Sequence, residues 1–108
     1  MMNFIEEYDG VLDRTFTIPE LAFEEDEDTD SFLSRNRPAI SRAIAVAVEF
    51  LIELEAEEVP AFAVKDTVLV FNLSRIEAGY SIDQSITYFT EIEDYEKCAK
   101  LLNLKSKL

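Results

Sequence analysis

The 108 residues carry 23 acids against 10 bases and no histidine, for a formal net charge of −13. A field of that sign repels nucleic acid and anionic membrane and attracts basic proteins or cations. A hydrophobic share of 48% is that of a globular chain, which excludes wholesale disorder and suits one domain, 1–108. The lone Cys98 excludes an internal disulfide and fits a reducing compartment. The opening MMNFIEEYDG lacks the basic and apolar stretches of a signal peptide, so a cytoplasmic location is expected.

Asn3 and Glu6 have capping-box spacing, which predicts a short N-terminal helix stopped by Gly10. Val11–Ile18 is rich in Val, Thr, Phe and Ile and predicts a strand ended by Pro19. Residues 20–30, ELAFEEDEDTD, predict an acidic loop, because adjacent carboxylates repel and favour an extended, solvated backbone. Phe23 and Phe32 bracket the run and are expected to pin its ends.

The stretch 38–58 is the dominant feature. Arg42, Val46, Glu49, Glu53 and Glu57 form one stripe of a long helix, and the remaining circumference is apolar. Such a helix must be covered on several sides. Pro60 is expected to break the chain, and Ala61–Leu73 reads as one long strand or as two joined at Lys65-Asp66. Tyr80–Phe89 alternates apolar and polar residues, which predicts a strand after a reversal at Ala78-Gly79, with a helix capped at Ser81 or Asp83 as the weaker alternative. Thr90 and Glu93 make a capping box for a C-terminal helix with Ile92, Tyr95, Ala99 and Leu102 on its apolar side. The expected fold is therefore α+β: a small antiparallel sheet of about three or four strands, packed on one long central helix.

Catalytic equipment is scarce. Without histidine, Ser-His and Cys-His pairs are impossible, and two glycines write no phosphate-cradling loop. Asp26, Asp28 and Asp30 have the spacing that opens an EF-hand. The glycine position is Ser31 and the bidentate glutamate position Arg37, so no specific metal site and no cofactor are expected.

What remains is charge. Residues 1–30 hold eleven acids and one base, Arg14. The expected partner-binding residues are Glu24, Glu25, Asp26, Glu27, Asp28 and Asp30, with Asp9 and Asp13. They would present a negative field to a basic protein, speeding encounter and imitating a phosphate backbone; the plainer reading is a solvated loop whose charge aids solubility and pairs with Arg35, Arg37 and Arg42. The function expected is a non-enzymatic acidic binding protein that neutralises such a partner: a bacterial immunity protein or antitoxin blocking a nuclease toxin. Three alternatives stand beside it. One is an obligate subunit or adaptor, dimerising through the long helix. The second is a nucleic-acid-mimic inhibitor of a defence system. A carboxylate-dependent enzyme is the third.

Overall fold

The computed structural model describes residues 3–108. Strand β1 (Asn3–Asp9) turns into β2 (Arg14–Leu21), followed by helices α1 (Thr29–Arg35) and α2 (Arg37–Glu53). Strands β3 (Glu58–Val64) and β4 (Val70–Ser74) come next, and then helices α3 (Arg75–Glu91) and α4 (Tyr95–Lys105). The four strands lie side by side in the order β1-β2-β3-β4. The two hairpins are antiparallel, but β2 and β3 run parallel. The mixed α/β architecture holds, while the sheet departs from the purely antiparallel one expected. A parallel pair requires a crossover, and α1–α2 supply it.

Four further expectations are corrected. Residues Asn3–Asp9 form an edge strand, not a helix: the register Asn3↔Glu20 to Asp9↔Arg14 is unbroken. Asp9 Oδ1 closes the turn by accepting from the N–H groups of Val11 and Leu12, at 2.9 and 3.0 Å. Pro19 and Pro60 do not end or precede strands but lie inside β2 and β3. The long helix stops at Glu53 rather than near 58, and α3 equals it at 17 residues. Finally, Tyr80–Phe89 is helical. Ser74 Oγ caps α3 by accepting from the Glu77 N–H at 3.3 Å, and Ala78, Ile82, Ser85 and Phe89 are its buried side.

The ends of α2 and α3 explain why no stop signal was visible. Both close in Schellman motifs, with a left-handed residue just past the cap. At α2, the Ala56 N–H reaches Leu51 O at 3.0 Å and the Glu55 N–H reaches Ile52 O at 3.2 Å, with Glu55 at φ 50°. At α3, Asp94 and Glu93 repeat the pattern to Phe89 O and Thr90 O, with Glu93 at φ 60°. Glycine ordinarily fills such positions. Here the left-handed residues are Asp13, Asp26, Glu55, Asp66 and Glu93, all carboxylates, and neither glycine has positive φ.

The core joins α2 (Ala43, Ile44, Ala47, Val48, Leu51) to Phe16 and Ile18 of β2, Val59 and Ala61 of β3, Leu73, and Ile82 and Phe89 of α3. Phe16 meets Phe50 edge-on at 5.1 Å. On α4 the buried residue is Leu101, so the expected apolar side is displaced: Tyr95, Ala99 and Leu102 are exposed. Arg75 ties the layers together. Its Nε donates to Ala56 O at 3.0 Å and its Nη2 to Leu51 O at 2.6 Å, satisfying carbonyls at the end of α2.

Candidate partner-binding surface

The acidic loop leaves β2 at Ala22 and is held at both ends by aromatic stacking, Phe23 on Phe32 at 4.1 Å. Its charges are not all directed outward. Arg35 folds back over it: Nη2 donates to Glu27 Oε1 at 2.6 Å, Nε donates to Glu27 Oε2 at 2.8 Å, and Nε lies 3.3 Å from Glu24 Oε1. That guanidinium, with the Glu24 N–H, holds the Glu27 carboxyl down at about 2. Asp28 is the N-cap of α1. The Ser31 N–H donates to it at 2.8 Å, and that bond with the Ser31 hydroxyl keeps its carboxyl below the usual value. Glu25, Asp26 and Asp30 are exposed with no ion pair among the described residues.

Asp9 and Asp13 lie elsewhere. They sit in the β1–β2 turn, at the other end of β2, whose eight residues span roughly 26 Å. The fold therefore splits the eight expected residues into two groups. Tyr8, which is exposed, donates its hydroxyl to Asp13 Oδ1 at 2.7 Å. That bond, with desolvation and the Asp9 charge, pushes the phenol above its ordinary value.

The turn has neighbours that the linear sequence conceals. Because β2 and β3 are parallel, the turn that precedes β2 shares an end of the sheet with the segment that precedes β3. Glu53, Glu55, Glu57 and Glu58 thus lie toward the same end of the sheet as Asp9 and Asp13. Glu53, Glu55, Glu57, Glu58 and Asp13 are exposed, and none of the six has an ion pair among the described residues. The bases nearby are occupied: Arg75 on the carbonyls, and Arg14 over the rings of Phe16 and Phe50, 5.0 Å from each centroid. Elsewhere Arg37 pairs with Glu91, Lys100 with Glu49, and Lys105 with Asp83. The run ELEAEE at 53–58 was the available signal, but it was assigned to the tail of the long helix.

Two of the open cavities that flank α2 are largely apolar. One, about 330 Å³, lies between α2, β2 and β3 and is lined by Phe4, Phe16, Ile18, Val46, Phe50 and Pro60, among others. The other, about 410 Å³, lies between α2 and α3 over Phe62 and Phe71. Those two rings stack at 5.0 Å. Neither cavity brings two carboxylates together. No cluster of three or more metal-ligating side chains occurs among the described residues. No helix among them is long and apolar enough to cross a membrane. Cys98 is half-buried, its thiol directed at Ile86 O. Comparison with protein-family models, with curated proteins and with solved structures finds no match to this chain.

Proposed function

We propose that the protein is a non-enzymatic binding protein that neutralises a basic protein partner, in the manner of an immunity protein or antitoxin set against a nuclease toxin. The observation that carries this reading is the end of the sheet toward which Asp9, Asp13, Glu53, Glu55, Glu57 and Glu58 all lie, six carboxylates against Arg14 and Arg75, with none of the six in an ion pair among the described residues. Carboxylates fixed by strand ends and tight turns form a preorganised field, which raises association rates and fits a positive cleft. Tyr8, exposed and held by Asp13, is the aromatic anchor of that surface. Glu25, Asp26 and Asp30 form a second patch at the opposite end of the sheet; Glu24, Glu27 and Asp28 chiefly hold their loop in shape.

The test is capture from the native cell at low salt, with the wild-type chain and with the variant Glu55→Lys, Glu57→Lys, Glu58→Lys. The wild type is expected to retain a basic protein and the variant to lose it. Recovery of no basic protein, or equal recovery by both, sinks the reading. A second reading, a self-associating adaptor, draws on the exposed apolar residues Ile92, Tyr95 and Leu102, with the interface on α4 rather than α2. A dimer that persists in high salt would favour it.

A further inference from the structure

The sheet is open in its middle. The β2–β3 ladder consists of two pairs only, Glu20↔Ala63 and Leu21↔Val64. Continued toward the other end, that register would set Ile18 opposite Ala61 and Thr17 opposite Pro60, but the strands part instead. Proline explains the parting. Leu21 O accepts from the Lys65 N–H at 2.8 Å, so position 21 directs its backbone toward β3. Backbone direction alternates along a strand, so position 19 faces β3 as well, and there Pro19 has no N–H to donate. On the other strand Pro60 also lacks a donor, at the point where the β3–β4 register shifts.

The cavity of about 330 Å³ occupies this gap. Small residues of α2 (Ala39, Ala43 and Ala47) leave the room, and the rings of Phe4, Phe16 and Phe50 wall it. Like the second cavity, it is free of acids. In a chain with 23 acids, no carboxylate lines it, and the one charged lining residue is Arg42. Arg42 has no ion pair among the described residues. Arg14 lies over Phe16 and Phe50, two of the wall residues. Arg42 and Phe50 are eight residues apart on α2, roughly 12 Å along the axis. The cavity is thus an apolar trough with a cation near each end. The second cavity differs at this point, because its arginine, Arg37, is already neutralised by Glu91.

We propose that the gap between β2 and β3 is a binding site for an aliphatic carboxylate. The chain would lie against the alanines and phenylalanines, and its head would be held by Arg42. An apolar cavity of about 150 Å³ accepts benzene. One about twice that size accepts a chain of roughly eight carbons. The Arg14 end of this site borders the acidic surface, and the carboxylate head is assigned to the other end, at Arg42.

The test is a titration of the full chain with octanoate, octan-1-ol and octylamine, read by amide chemical shifts. Octanoate is expected to bind saturably at one equivalent, shifting Thr17, Ile18, Ala43 and Ala61, at least tenfold tighter than octan-1-ol, with octylamine weaker still. Arg42→Gln, a change at an exposed position, is expected to abolish the preference for the acid over the alcohol. Ala43→Leu fills the cavity floor and is expected to abolish binding of both; Arg42→Gln keeps the test sound should that variant not fold. Absence of saturable shifts, equal affinity for acid and alcohol, or shifts centred on Ile40, Phe62 and Tyr80 would overturn the assignment.

Discussion

Two arginines determine much of what single residues do here. Arg35 over Glu27 sets a pH dependence whose sign follows from the carboxyl values. Glu27 stands at about 2 in the folded chain against 4.5 ordinarily. Its contribution to stability is complete above the higher value and is lost as the pH falls toward the lower one. Asp28, lowered by the Ser31 N–H, acts in the same direction. Carboxyl NMR is expected to show Glu27 titrating near 2 and returning toward 4.5 in Arg35→Gln. Arg75 performs a different task, since its partners are carbonyls at the end of α2. Arg75→Met leaves them without a charged donor and is expected to cost about 2 kcal/mol in urea unfolding. Neither role is legible in the sequence, where both residues are bases near acids; a hydrogen bond to a carbonyl 24 positions away has no local signature.

At the scale of elements, the helix α2 was legible because burial covers most of its circumference: Val48 and Leu51 are fully enclosed. Leu51→Ala is expected to cost about 2–5 kcal/mol, measured by thermal or denaturant unfolding. The C-terminal helix was legible too, though not the side it buries nor its start: Asp94, not Thr90, is the cap, and Thr90 and Glu93 belong to the end of α3. Helix α3 was missed where local chemistry was informative. Ser74 and Glu77 have the S-x-x-E spacing of a capping box, and Ala78, Ile82, Ser85 and Phe89 repeat at helical intervals. The alternation of Tyr80, Ile82, Ile86 and Tyr88 outweighed them, although Tyr80 is mostly in water. Ser74→Ala is expected to lower stability by about 1 kcal/mol, through loss of the cap. Strand β1 was not legible, because Asn3–Asp9 becomes a strand by pairing with β2, and strand preference depends on such neighbours more than on the segment itself.

At the scale of the whole molecule, the parallel pairing of β2 and β3 is decisive. It carries residues 9–13 and 53–58 to one end of the sheet and the loop 22–28 to the other. From the sequence the loop stood out, with Asp9 and Asp13 added as neighbours along the chain, since proximity along the chain was the only proximity available. A charge of −13 also strains the compact state by self-repulsion. Raising NaCl from 10 mM to about 200 mM shortens the screening length from roughly 30 Å to under 10 Å and is expected to raise Tm. A Tm that falls or stays level over that range would mean the internal ion pairs outweigh the repulsion.

The left-handed carboxylates make charge and stability separable by mutation. A side chain at such a backbone position is disfavoured by roughly 1 kcal/mol relative to glycine. Glu55→Gly and Glu93→Gly should therefore each make the chain harder to unfold while removing an anion. Extending the exchange to Asp13, Asp26 and Asp66 would take the net charge from −13 to −8. Selection for durability alone would have favoured glycine at all five turns. If the proposed function holds, a hardier protein that grips a basic partner less well is the form this compromise should take in the laboratory.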